Sequence, residues 1–75
     1  MIELANGNDV FITVQLTGGH YTKSGLTIND AELVEYESGV FFVRRKIGKN
    51  KSQICCYAAS TADEILITVS AKHPK

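Results

Sequence analysis

"VFITVQLTGG" (residues 10–19) decides the fold. Val10, Ile12, Val14 and Leu16 alternate with Phe11, Thr13 and Gln15. This period of two marks a half-buried β-strand and not a helix. The closing Thr17-Gly18-Gly19 supplies residues that tolerate positive φ, so the chain turns there. The same alternation extends on both sides of that turn. Leu26 and Ile28 continue it, "IND" (residues 28–30) marks a kink, and "AELVEYE" resumes it with Val34 and Tyr36 set against Glu35 and Glu37. "ESG" (residues 37–39) is a second tight turn. Val40, Phe41, Phe42 and Val43 are β-branched or aromatic, as in a strand packed on both faces.

"KIGKNK" (residues 46–51) reads as a hairpin tip with Gly48 and Asn50 as turn residues, and residues 53–58 return as a strand. Thr61-Ala62-Asp63-Glu64 fits a capping box, which predicts about one helical turn. Ile65, Ile67 and Val69 then restore period two, and residues 71–75 read as a frayed polar end. The expected layout is five short strands with one helical turn before the last. With no amphipathic helix to cover a flat sheet, this is an all-β fold, a small and strongly bent barrel of Sm-like or Src-homology-3-like shape.

At 75 residues the chain is a single domain. A chain of this size removes only roughly 60% of its unfolded surface from water, so a deep catalytic cleft inside one copy is not expected. Oligomerisation through strand edges is the expected route to further burial. Formal net charge is zero, which excludes a global field for polyanions. The charge is segregated instead: Asp30, Glu32, Glu35 and Glu37 precede Arg44, Arg45, Lys46, Lys49 and Lys51. Paired strands would bring the two sets together.

The only cysteines are the adjacent Cys55 and Cys56. On a strand they face opposite sides, one buried and one outward, and they form no disulfide framework. A reducing, cytoplasmic setting is expected, either of a cellular protein or of one made in the cytosol by a phage. Neither a leader nor a membrane-spanning run is read at the start, where Met1 is followed by "IELAN".

Chemistry is sparse. His20 and His73 lie far in sequence from Cys55 and Cys56, so neither a nucleophile–base pair nor metal-ligand spacing is present. Gly18-Gly19 lacks the pattern of a phosphate cradle. The chain reads as a non-enzyme with no cofactor and no metal. What remains is the basic hairpin. Arg44 and Arg45 must point to opposite faces, so at most one can face inward. Lys46, Lys49 and Lys51 flank the tip, where they could contact phosphates beside Phe41, Phe42 or Tyr57 as a stacking surface. A solvated hairpin tip uses the same lysines to stay soluble.

The stretch "VFITVQLTGGHYTKSGLTIND" (residues 10–30) resembles the first motif of Sm-like proteins, the Lsm/Hfq class of small RNA-binding barrels. An alternating strand ends in Leu16-x-x-Gly19, a Gly25-Leu26 pair follows, and Asp30 lies four residues beyond Leu26. Residues 52–67 stand where the second motif would, as strand, turn and strand. Together the similarity spans about residues 9–69. The departures weigh on the RNA inference more than on the fold, and the first eight residues are too short for the family's N-terminal helix. The interval from Gly19 to Gly25 is one residue longer than in the family's motif. The Asn that follows the family's Asp is absent, with Val34 near its place. Neither the Arg-Gly of Sm proteins nor the Tyr-Lys-His of Hfq is present, since Tyr57 is followed by Ala58-Ala59.

The resemblance implies a non-enzymatic, oligomeric barrel that binds RNA or single-stranded DNA, with Arg44, Arg45, Lys46, Lys49 and Lys51 on phosphates. The alternative is a protein-binding inhibitor or adaptor of a phage or mobile element, with Glu35 and Glu37 on the strand that meets its target. A third reading is an enzyme whose site forms only between subunits.

Overall fold

The computed structural model describes residues 1–72, the side chain of Lys23 excepted. It is a curled antiparallel sheet with one 3-10 turn (Ala59–Thr61). The strands are β1 (Ile2–Asn6), β2 (Val10–Gly18), β3 (Tyr21–Glu37), β4 (Val40–Gly48), β5 (Lys51–Ala58) and β6 (Glu64–Ala71). Their order is β5-β4-β3-β2-β6, with β1 also paired to β3. The small all-β fold read from the sequence is present. It has one strand more than the five expected, namely β1. No helix among the described residues is long and apolar enough to cross a membrane.

β3 is the spine, and it bends. Its first half pairs with β2, from Leu16↔Leu26 to Ile12↔Ala31, and its second half pairs with β1 and β4. β1 and β2 lie end to end along one side of β3, interrupted at residues 7–9. Opposite that interruption β3 carries its own irregularities. Asp30 has φ of 58°, and Glu32 is the extra residue between Ala31↔Arg45 and Leu33↔Arg44. Such bulges increase local twist and let one strand serve two directions of a curled sheet. Gly7 closes the joint. Its N–H donates to Glu32 O at 2.7 Å, and a Cβ there would stand 2.8 Å from Ala31 O.

The alternation read in β2 sets the core. Ile12, Val14 and Leu16 are buried with Ile28, Ala31, Val34 and Val43, while Phe11 and Leu66 point outward, 45% and 51% exposed. The turns also match. Ser38 and Gly39 have positive φ, as do Gly18, Gly19 and Asn50.

The capping box is corrected. Thr61 ends the 3-10 turn where the box would have it start one, and its Oγ1 donates back to Ala58 O at 2.7 Å. Glu64 already begins β6. Two longer-range bonds select this arrangement. His20 N–H donates to Thr61 O at 2.8 Å, and Asp63 N–H donates to Thr17 O at 2.9 Å. The Gly18-Gly19 turn therefore docks on residues 61–63. Gly19 must lack a side chain, because its φ is +55° and Thr61 O lies against it.

Leu16 is 1% exposed and Leu66, on β6, is 51% exposed. Leu16→Ala is expected to cost about 2–5 kcal/mol through lost burial and a residual cavity. Leu66→Ala is expected to stay within about 1 kcal/mol. Urea denaturation of the two variants checks the alternation directly.

Candidate functional site

β4 and β5 form the basic hairpin through an unbroken register from Val40↔Ala58 to Lys46↔Ser52. Cross-strand partners share a face, which sorts the cations. Val43 is buried, so Phe41, Val43 and Arg45 take the inner side with Gln53, Cys55 and Tyr57. Phe42, Arg44 and Lys46 take the outer side with Ser52, Ile54 and Cys56. All five basic residues are exposed, but they do not act as one cluster. Arg44 and Lys46 share an outer groove, Lys49 and Lys51 sit at the tip, and Arg45 lies on the opposite face.

The outer groove is about 440 Å³ and opens where the β1–β2 interruption meets the β3 bulges. Arg44, Lys46 and Lys72 bring positive charge to it, and Asp30 and Glu32 bring negative charge. Phe11 contributes an aromatic ring, and Asn6 and Asn8 line the β1–β2 crossing. Glu32 is engaged from two sides, by Arg44 Nε at 3.4 Å and by Ser52 Oγ at 3.2 Å. This is the cross-strand charge pairing that the segregated sequence implied. Lys72 donates to Gly7 O at 3.1 Å and stands 5.5 Å from the centroid of the Phe11 ring.

Two groove residues were not singled out from the sequence. Phe11 was read only as the outward partner of the β2 alternation, although a large aromatic at an outward position was itself a signal. Lys72 was placed in a frayed end, yet its N–H bonds Asp9 O at 3.2 Å and continues the β2–β6 edge. The expected stacking surface is corrected. Phe41 and Tyr57 lie on the inner side, away from Arg44 and Lys46. Phe41 packs on Tyr36 at 4.9 Å between ring centroids. Phe42 does face outward and is half-buried.

The cysteines alternate as expected, Cys56 exposed and Cys55 partly covered. Neither is buried outright, because β5 is an outermost strand. Among the described residues no three His, Cys, Asp or Glu side chains are placed to hold a metal ion. His73 lies outside the described residues. On β3, Glu35 is half-buried opposite Glu3 of β1, and Glu37 pairs with the Met1 amine at 3.4 Å. No protein-family model, curated protein or solved structure matches the chain.

The phenol of Tyr57 is pushed up to about 12, first by burial and then by the adjacent Cys55 side chain, with Arg45 pulling weakly the other way. A raised folded pKa favours the neutral form. Its contribution to stability is therefore complete below the ordinary value of 10.0 and is lost as pH climbs through about 12. Absorbance titration of phenolate should show a late component near pH 12 that Tyr57→Phe removes. An unchanged titration curve in that variant would contradict the packing of Tyr57.

Proposed function

We propose that the protein is a non-enzymatic small barrel that binds RNA or single-stranded DNA through the outer face of the β4–β5 hairpin. One observation carries this reading. Lys46, Lys49 and Lys51 are exposed at one end of the paired β4–β5 hairpin, and among the described residues none has a carboxylate within ion-pairing distance. Unpaired ammonium groups at such a tip are available to neutralise phosphates and release their counterions. The resemblance of residues 10–30 and 52–67 to Sm-like motifs supports the same reading.

A second reading has its own observation. Glu3 and Glu35 stand directly opposite each other on β1 and β3, a like-charged pair that destabilises the strands unless a cation joins it. A basic protein surface would supply that cation, and Glu35 with Glu37 would mark where an inhibitor or adaptor meets its target.

Assembly through strand edges belongs to either reading. β5 and β6 end the sheet path, each with one hydrogen-bonded neighbour. They carry Ile54, Leu66 and Val69 at 61%, 51% and 52% exposure. Pairing β5 of one copy with β6 of the next is head-to-tail and gives a ring when the rotation closes, whereas like-with-like pairing gives a dimer. Light scattering at high protein concentration should report a dimer or a larger ring, and a strictly monomeric mass would refute edge pairing.

The binding test is the salt dependence of affinity for single-stranded oligonucleotides. Replacing Lys46, Lys49 and Lys51 together by Gln should reduce the slope of log affinity against log salt by about 2–3, with thermal stability nearly unchanged. Arg44→Ala and Arg45→Ala should differ, because the two side chains lie on opposite faces. If the wild type binds no oligonucleotide at low salt, the nucleic-acid reading is wrong and the protein-binding reading takes its place.

A further inference from the structure

The outer groove holds more than phosphate-binding chemistry. Glu32 is already engaged by Arg44 and Ser52, and Lys72 Nζ by Gly7 O and the Phe11 ring, so among the described residues Asp30 and Lys46 are the charged groups of the groove without a partner. Phe11 stands beside them with 45% of its surface exposed. A groove made for phosphate alone gains nothing from the free Asp30 carboxylate, which repels the anion. A half-exposed aromatic ring, one unpaired carboxylate and two ammonium groups, one of them now resting on that ring, within about 440 Å³ suit a nucleotide whose base offers N–H donors.

We propose that this groove is a single-nucleotide subsite that prefers guanine. The base stacks on Phe11, Asp30 accepts hydrogen bonds from the guanine N1–H and N2–H, and Lys46 and Lys72 hold the adjoining phosphates. The assignment rests on the nucleic-acid reading above and adds to it the choice of base. Guanine alone sets two donors side by side on its Watson–Crick edge, where a carboxylate meets both. Uracil offers a single N–H between two carbonyls that a carboxylate repels. Adenine and cytosine place an acceptor nitrogen beside their amino group. Lys72 now lies over the ring that the base would use. An exposed cation–π contact is weaker than base stacking, so the base displaces the ammonium from the ring, and Lys72 exchanges its bond to Gly7 O for the stronger one to phosphate.

The test is fluorescence anisotropy with labelled octamers of uridine, or of thymidine in a DNA arm, with and without one central guanine. The wild type should bind the guanine-bearing octamer about tenfold more tightly. Phe11→Leu should weaken binding of that octamer about tenfold, and Phe11→Tyr should restore it. Asp30→Asn should erase the guanine preference while keeping the backbone, since Asn tolerates the left-handed conformation that Asp30 adopts. Circular dichroism of each variant confirms the fold. A preference seen with either sugar supports the subsite, and a stronger one in RNA adds a 2′-hydroxyl contact. Equal binding of both octamers, or a guanine preference that survives both Phe11→Leu and Asp30→Asn, overturns the subsite. The nucleic-acid reading stands in those cases if the hairpin lysine variant still weakens binding. If the wild type binds neither octamer, both proposals fall.

Discussion

The bend in β3 is the constraint on which the rest depends. A single strand of 17 residues pairs with β2 along its first half and with β1 and β4 along its second. It can do so only because Asp30 takes a left-handed conformation and Glu32 is bulged out of the ladder. Those two residues rotate the second half of the sheet so that Val34 and Val43 close over Ile12, Val14 and Leu16. The bend that encloses the core also parts the outer surface. The missing stretch of ladder between β1 and β2 faces the bulge, and the gap between them is the groove. Site and core are two sides of one deformation, so no additional loop or helix is needed to make a concavity.

The parts of this fold that were legible in the sequence are those determined by residues close together in the chain. The alternation of β2, the glycine turn after it and the Ser38-Gly39 turn each depend on a few neighbouring residues. β1 was illegible because its pattern is broken by an irregularity between Glu3 and Ala5, and because Ile2 and Leu4 are exposed while the small Ala5 packs inward. The capping box misled for the opposite reason. Its local signal is sound, but the docking of Gly19 and His20 on Thr61 is a tertiary contact that fixes where the turn ends. The groove was hidden in the same way. Phe11 and Lys72 are 61 positions apart and become neighbours only through the β2–β6 register and the cation–ring contact.

A net charge of zero is a weak guide to partners once the strands are paired. At physiological salt, charges separated by more than about 8 Å are largely screened from each other, so a ligand at the hairpin responds to the charges within its reach. Glu3, Glu35 and Glu37 belong to the part of the sheet where β1 meets β3, while Lys46, Lys49 and Lys51 lie at the far end of the β4–β5 hairpin. Within the groove, the Arg44–Glu32 pair neutralises itself and sets the side chains in place. Fixed partners of this kind contribute geometry more than affinity, and exposed pairs of this type add little to stability.

The two ends of the sheet are guarded unequally, and this bears on how so small a core is sustained. Among the described residues only seven are buried, few for a chain that must offset the ordering entropy of a whole domain. β5 starts with Lys51 and carries Ser52 and Gln53, polar residues of the kind that keep an edge from pairing with another chain. β6 has no charge after Glu64. Its run from Ile65 to Ala71 is β-branched and apolar along most of its length, with Leu66 and Val69 half exposed. An unguarded edge beside a thin core is a defect in an isolated monomer and an interface in an assembly. Covering β6 would bury the apolar surface of Leu66 and Val69 that the single chain leaves half exposed. The edge that the fold leaves least guarded is therefore also one whose closure would add to its stability.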